Sequence, residues 1–448
     1  MNIRSLKKAA LTKKRVLIRV DFNVPVENGQ ILDDSRIVAT LPTLKYLLAK
    51  KAKIVIMSHL GRPDGKKVKD LKMDPVAKHL SKLLKKPVTK MDECVGAKVE
   101  KTVSQMKPGD IVFLENTRFY KEEEKCDAKF SKKLASLGDV YVVDSFGTAH
   151  RAHASTYGVA KYLPAYAGLL MEKEVKTLTE LMKKTVHPLT IIIGGAKIDT
   201  KIGLITNFLP TADYFLIGGG LANTFLAAEG YDIGKSLYEK DKVSVAQEIM
   251  LAAEVLQDKF VIPTDAIVAD EISDTAEILD LPVEDVMGEM KILDVGKKTL
   301  IKFVEAIKKS KTVVWNGPVG LFEKKPFGNG TKVIAQTLAN AKNCKTIIGG
   351  GDTVDALKHF GISEKKFTHV STGGGAMLEF LEGNKLPGVE IIFEKATPAK
   401  RPSSNGGRKA VKKVTRRPAS KAGKKAKAVS KKAAPVKKVA RKSSQKRR

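Results

Sequence analysis

Ten short apolar runs, each about the length of a strand, recur through the first 370 residues: 16–20, 54–57, 111–114, 140–143, 189–193, 214–217, 261–262 with its flanks, 312–315, 346–348 and 369–370. Several are rich in Ile and Val, as buried strands are. Amphipathic stretches of helical period lie between many of them, including 34–50, 74–84, 129–137, 332–341 and 354–359. Asp33-Asp34-Ser35 ahead of Ile37, and Thr353 ahead of Val354, read as helix starts. Alternation of this kind predicts an α/β fold whose parallel sheets are covered on both faces. A body of about 395 residues exceeds one ordinary sheet and its helices, so two α/β domains are expected. The charged, helix-patterned stretch 172–184, with His187-Pro188 just beyond, reads as the helix that connects them.

Charge marks a third region. The chain has 448 residues, 81 Lys+Arg and 49 Asp+Glu, a net of +32. Residues 396–448 carry 21 of the Lys/Arg and no Asp, Glu or aromatic residue, which leaves a net of +11 for residues 1–395. Such a tail has too little apolar surface to offset its ordering entropy, and it is expected to be disordered. The rest is rich enough in hydrophobic residues, at 43% of the chain, to build sizeable cores. No apolar run approaches the ~18 residues of a membrane span, and the basic N-terminus lacks the apolar core of a secretory signal. Cys94, Cys126 and Cys344 are widely spaced and form neither a metal-ligand nor a disulfide pattern. Together these features predict a cytoplasmic protein.

The strand ends carry the chemistry, because open α/β sheets bind ligands beyond the carboxyl ends of their strands. In the first half these positions hold Asp21-Phe22-Asn23, Ser58-His59-Leu60-Gly61-Arg62, Glu115-Asn116-Thr117-Arg118 and the stretch from Asp144 to Arg151. In the second half they hold Gly194-Gly195-Ala196-Lys197, Gly218-Gly219-Gly220, Asn316-Gly317-Pro318, Gly349-Gly350-Gly351-Asp352-Thr353 and Gly373-Gly374-Gly375. Glycine lets backbone N–H groups approach an anion, and a helix N-terminus adds positive potential. Repeated turns of this kind in one domain point to a polyphosphate site, with Lys197 and Lys201 reaching phosphate oxygens. Asp352 has two readings, a Mg²⁺ ligand and a simple helix cap. In the first half, Arg36, Arg62, Arg118 and Arg151 with His59 suit a small, doubly anionic molecule, since the guanidinium fork matches carboxylate and phosphate.

Other chemistries lack their signatures. There is no GxxxxGK[ST], no HRD or DFG, no GxGxxG after a strand, and no Cys or Ser in a nucleophile setting. One domain for an anionic acceptor and one for a nucleotide, without covalent machinery, is what direct phosphoryl transfer needs.

Longer blocks carry a family resemblance. RVDFNVP (19–25), SHLGRP (58–63), ENTRF (115–119), FGTAHRAHAS (146–155), GGAK (194–197), WNGPVGLFE (315–323), GGGDT (349–353) and STGGGA (371–376) resemble, in order, the signatures of phosphoglycerate kinases over about 1–395. The resemblance implies two Rossmann-like domains joined by a helix and hinge. These are a phosphoglycerate-binding domain (1–171), a connecting helix (172–184), a nucleotide-binding domain (185–375) and a segment returning to the first domain (376–395). It implies reversible transfer of the acyl phosphate of 1,3-bisphosphoglycerate to Mg-ADP by a monomer. Matched motif by motif, Asp21, Asn23, Arg36, His59, Leu60, Gly61, Arg62, Arg118 and Arg151 are implied to bind phosphoglycerate. Arg36, Lys197 and Lys201 are implied as catalytic. Lys201, Glu323, Gly350, Gly351, Asp352 and Thr353 are implied to bind the nucleotide, with Asp352 on Mg²⁺.

The chain departs from the family pattern in three places. Thr200 stands where many members have Asp. Residues 286–297, a loop that the resemblance puts beside the adenine, carry extra residues and lack the usual Trp and Pro. The tail is foreign to the family and is similar in composition to the Lys/Ala/Pro-rich tails of linker histones and bacterial histone-like proteins. It opens an alternative, a nucleic-acid-binding protein on an enzyme scaffold, with DNA or RNA bound through 396–448. A solubilising extension, a localisation address and contact with anionic membranes are the other readings.

Overall fold

The structure, a computed structural model, describes residues 2–394; the tail lies outside the described residues. In the first lobe, β1 (Arg15–Val20) is followed by a small hairpin, β2 (Val26–Glu27) and β3 (Gln30–Ile31). Then come β4 (Lys53–Met57), β5 (Thr89–Lys90), β6 (Ile111–Phe113), β7 (Val140–Asp144) and β8 (Ala165–Ala167). Six of these form a wholly parallel sheet in the order β5-β6-β4-β1-β7-β8.

The second lobe holds β9 (Leu189–Ile193), β10 (Tyr214–Ile217), β11 (Phe260–Val261), β12 (Asp265–Ala269), β13 (Leu279–Pro282), β14 (Lys291–Val295), β15 (Thr312–Asn316), β16 (Lys345–Gly349) and β17 (His369–Val370). Its main sheet, also parallel, runs β11-β10-β9-β15-β16-β17. A separate antiparallel sheet has the order β13-β12-β14.

The two parallel sheets are buried on both faces, which is why their strands read as continuous apolar runs. Alternate residues of β1 enter different cores: Leu17 joins one cluster, and Val16, Ile18 and Val20 join another. The first cluster does not stop at the lobe boundary. It continues through Met171, Val175, Leu178 and Leu181 of the helix Leu169–Lys183 into Ile191, Ile193, Phe215 and Ile217 of the second sheet.

That helix begins where β7 ends. The buried Asp144 carboxylate accepts the N–H groups of Leu170 (3.0 Å) and Met171 (3.1 Å), so the last residue of a strand caps the helix joining the lobes. Burial pushes this carboxyl up to about 7, against the hydrogen bonds it accepts. Beyond the second sheet, the chain comes back to its beginning. Arg4 donates its N–H to the Ile392 carbonyl at 2.7 Å, Ile3 bridges Phe393, and Gly388 donates to the Ala149 carbonyl.

Three expectations change. The run around 261–262 reads as one strand, but Pro263 divides it, and β11 and β12 join different sheets. Proline offers no N–H to a ladder and fixes φ, so a strand breaks there. Residues 291–295, expected as part of a loop, are strand β14, paired antiparallel to β12. The helix expected to start at Thr353 starts at Gly351. Thr353 is buried in its first turn, where its hydroxyl accepts the Gly317 N–H at 2.7 Å.

Candidate active site

The first lobe gathers a cationic cluster where β1, β4, β6 and β7 end. Arg36, second in the helix Ser35–Ala49, reaches back to Asp21 just past β1 (Nη1–Oδ2 2.5 Å). Asn23 accepts the Gly61 N–H through Oδ1 at 2.8 Å, fixing the turn after β4 to the turn after β1. Gly61 has φ +63°, and a Cβ there would stand 2.7 Å from Leu71 Cδ2, so this turn needs glycine. Leu60 and His59 are buried. Arg118 is 6% exposed, and its Nη1 donates to the Gly61 carbonyl at 2.9 Å. Arg151 donates through Nε to His150 Nε2 at 3.0 Å. Arg62 is exposed, outside this buried group.

Two further residues belong to the cluster. Arg19, 1% exposed inside β1, places Nη2 3.1 Å from His59 Nδ1. His153 lies close enough to be shaped by the same cations. Burial first, then Arg118 and Arg19, pushes its imidazole down to about 4. Burial, then Arg19, Arg118 and Arg36, holds His59 well below the usual histidine range. At neutral pH both rings are therefore neutral, and the positive charge of the site comes from arginine. Arg19 has its own sequence signal: a charged residue within an apolar strand needs a buried partner or a ligand.

The second lobe presents two adjoining cavities. The smaller, about 330 Å³, is lined by the glycine turns after β9, β15 and β16 together with Lys197, Lys201, Asp352 and Thr353. These turns interlock: a Cβ on Gly194 would stand 2.0 Å from the Pro318 carbonyl oxygen, and one on Gly317 2.2 Å from the Gly194 carbonyl oxygen. Lys201 donates through Nζ to Asn316 Oδ1. Burial lowers its ammonium to about 8, while Asp352 and Glu382 pull the other way. Lys197 and Asp352 are exposed to the cavity side of the lobe, as are Gly351 and Thr200. Asp352 sits in the first turn of the helix Gly351–His359, after Gly350 at φ +93°. Glu239, not singled out in the sequence, secures the Lys197–Lys201 turn by accepting the N–H groups of Ile198 and Asp199.

The larger cavity, about 670 Å³, shares Gly195, Ala196 and Asp352 with the smaller one. Leu237, Ile292, Leu293, Val319 and Leu321 make much of its wall, with Glu323 at its edge. Strand β14, where the chain departs from the family pattern, lines one side. A third cavity, about 950 Å³, lies between the lobes. It is lined by Asn23 and Arg36 from the first lobe and by Gly350, Gly351 and Gly374 from the second, and those three glycines also line the 330 Å³ cavity. The three spaces therefore adjoin in series, from an apolar slot, through a glycine-lined cradle, to the side of Arg36.

The phosphoglycerate kinase family model matches residues 6–384. The chain belongs to the phosphoglycerate kinase family. It is 52% identical over 393 residues to the phosphoglycerate kinase of Dictyoglomus turgidum, covering 88% of this chain and 99% of that one. With the phosphoglycerate kinase of Pelotomaculum thermopropionicum it shares 51% identity over 382 residues, 85% of this chain and 97% of that one. The solved phosphoglycerate kinase of Coxiella burnetii superposes with a TM-score of 0.78 at 41% identity, covering 87% and 99% of the two chains. That of Pyrococcus horikoshii OT3 gives 0.75 at 33% identity, covering 87% and 98%. As a phosphoglycerate kinase, the chain is a phosphotransferase of two parallel α/β lobes. No helix among its described residues is long and apolar enough to cross a membrane.

Proposed function

We propose that this phosphoglycerate kinase binds phosphoglycerate on the first lobe (1–171) and adenine nucleotide on the second (185–375), and joins them along the path of shared cavities. The observation that carries the reading is that path: the cradle beside Lys201 and the space beside Arg36 have Gly350, Gly351 and Gly374 in common. The reaction is reversible phosphoryl transfer between 1,3-bisphosphoglycerate with ADP and 3-phosphoglycerate with ATP, a step of glycolysis. A β-phosphate oxygen of ADP bonds to the transferring phosphorus as the bond to the carboxyl oxygen breaks, leaving the 3-phosphoglycerate carboxylate.

Such transfer runs through a loose transition state whose equatorial oxygens spread the charge, so positioning and fixed cations do most of the work. Asp21, Asn23, His59, Leu60, Gly61, Arg62, Arg118 and Arg151 hold the phosphoglycerate. Arg36, oriented by Asp21, faces the transferring group from one lobe, and Lys197 and Lys201 face it from the other. Gly350, Gly351 and Thr353 present the helix N-terminus to the nucleotide phosphates, and Glu323 takes the ribose hydroxyls.

The residues fit a Mg²⁺ held with the nucleotide. Asp352 is one exposed carboxylate on the wall of the 330 Å³ cavity. No group of three or more metal-ligating residues occurs among the described residues. Mg²⁺ prefers one or two carboxylates plus phosphates and water over an all-protein cage. When bound, the ion offsets charge on the phosphates.

A coupled assay for ATP formation from 1,3-bisphosphoglycerate and ADP tests the reading. Turnover that survives Arg36→Ala and Lys201→Ala together would remove the proposed path from the mechanism. The same reading has the enzyme act as a cytoplasmic monomer, as the family resemblance implies; sedimentation at working concentration as a dimer would overturn this. The 21 positive charges of residues 396–448, like those of histone-like tails, add non-specific binding to DNA or RNA phosphates. If about ten neutralise phosphates, log K falls against log salt with a slope near −9. A chain truncated after Lys395 is expected to keep kcat and KM and to lose this binding. Retention of the full salt slope by the truncated chain would move the footprint to residues 1–395.

A further inference from the structure

One ion pair crosses the cleft. Asp33, just ahead of the helix Ser35–Ala49, accepts Lys358 Nζ through Oδ2 at 2.5 Å, and Lys358 lies in the last turn of the helix Gly351–His359. Among the described residues it is the one ion pair that runs from residues 1–171 to residues 185–375. Lys8–Glu394 reaches the returning segment instead, and Glu174–His369 starts from the connecting helix. Asp33 and Lys358 both line the 950 Å³ space between the lobes, together with Arg36 and Gly351.

Each partner is anchored on its own side. The Asp33 carboxylate also accepts the Ser35 N–H at 2.9 Å and the Ser35 hydroxyl at 3.1 Å. Burial raises this carboxyl, but Lys358 and Ser35 outweigh it and hold it below the ordinary carboxylate value. Asp33 stands beside the positive end of its helix and Lys358 at the negative end of its own. The pair therefore joins two helices end to end, with each charge suited to the helix it sits on.

These two helices carry the proposed chemistry. Arg36 is in the first turn of one, and Asp352 and Thr353 are in the first turn of the other. At 1.5 Å per residue, Asp352 lies ~9 Å along the helix axis from Lys358. Neither Asp33 nor Lys358 lines the 330 Å³ cradle, yet a change in their separation moves the cradle relative to Arg36. In-line transfer needs reacting atoms ~3–3.5 Å apart, so small displacements between the lobes cost large factors in rate.

We propose that the Asp33–Lys358 pair positions the phosphate-binding helix of the second lobe against the Arg36 helix of the first, making both positioning residues for phosphoryl transfer. This rests on the reading of the two lobes as acceptor and nucleotide sites. The side chains are 39% and 36% exposed, so the pair adds little to folding stability. It acts on the balance between lobe arrangements, where even a weak contact changes the populated fraction by about two- to five-fold.

The test is steady-state kinetics of the full chain and of Asp33→Asn, Lys358→Met, the two combined, and Lys358→Arg, with ADP and 3-phosphoglycerate binding measured separately. Asp33→Asn keeps an oxygen for the Ser35 N–H, and Lys358→Met keeps the length of the side chain. Each single variant is expected to lower kcat by about two- to five-fold, with affinity for either substrate alone unchanged. The combined variant is expected to be no worse than the singles, because each already breaks the same contact. Lys358→Arg is expected to keep the wild-type kcat. Lys358→Glu, which sets two carboxylates face to face, is expected to lower kcat further and to enlarge the radius of gyration in solution scattering. Losses that add in the combined variant would mean that each charge serves only its own helix, and the proposal fails. Unchanged or raised kcat in the single variants also overturns it. Failure of the wild type to bind ADP or 3-phosphoglycerate would overturn the two-lobe reading, and this proposal with it.

Discussion

The Glu174 carboxylate, buried in the helix that joins the lobes, accepts the Nε2–H of His369 at 2.7 Å, and His369 belongs to the edge strand of the second sheet. The other oxygen of Glu174 accepts the N–H of Thr372 at 2.7 Å and its hydroxyl at 2.9 Å. One side chain thus ties the connecting helix to β17 and to the turn that follows it. Glu174→Gln keeps the size but replaces one acceptor oxygen with an NH₂ group that cannot accept. The variant is expected to lose about 1–3 kcal/mol of stability, read as a lower midpoint in denaturant. An unchanged midpoint would show that the tie is replaceable.

Arg36 is held by Asp21 at the edge of the space between the lobes. Loss of one preorganised donor to a transition state typically costs ~10²–10³ in rate. Arg36→Ala is expected to lower kcat by about that factor, with a smaller change in nucleotide KM. Steady-state kinetics with both substrates varied check this, and a variant retaining half the wild-type kcat would take Arg36 out of the mechanism.

Lys201 gives the free enzyme a pH signature. Burial lowers its ammonium to about 8, so it is charged below that pH and increasingly neutral above it. Nucleotide phosphates bind the charged form better. ADP affinity is therefore expected to hold up to about pH 7 and to weaken through pH 8 toward pH 10. Lys201→Arg, whose guanidinium stays charged throughout, is expected to bind with no such fall. Titrations of both proteins across this range decide the matter, and parallel curves would refute the assignment.

Asp352 is exposed in the first turn of its helix, on the wall of the 330 Å³ cavity. Asp352→Asn is expected to raise the Mg²⁺ concentration needed for half-maximal rate. Mg²⁺ without nucleotide is expected to bind weakly, since one carboxylate is a poor site by itself. Tight, stoichiometric binding to the free enzyme, measured by calorimetry, would contradict this.

The parallel sheets and the glycine turns were legible because their signals are local: an Ile/Val run fills a strand buried on both faces, and a glycine triplet marks its end. The antiparallel sheet was not. β13 is short and partly exposed, and β14 reads as loop because Lys291, Ile292 and Leu293 are half-buried and do not alternate cleanly. Arg118 carries a motif and a strand-end position in the sequence, Arg36 a helix start, and the structure brings both to the ends of the first sheet's strands. Arg19 is not announced by spacing, because its partner, His59, lies in the turn after another strand, 40 residues on. Glu174, His369 and Glu239 likewise have partners far off in the chain. Each acts through a contact set by tertiary packing, and no spacing in the chain announces it.

The apolar cluster that runs from the first sheet through Met171, Val175, Leu178 and Leu181 into the second has a mechanical consequence. Close-packed side chains do not deform smoothly; they step between a few arrangements. Two bodies on a bare tether would swing through any angle. Lobes that share one packed interior must instead slide side chain past side chain, with each resting position a distinct packing. Substrates then act as a ratchet does on a toothed wheel, choosing which notch is occupied, and a single methylene added at Leu178 shifts the notches themselves.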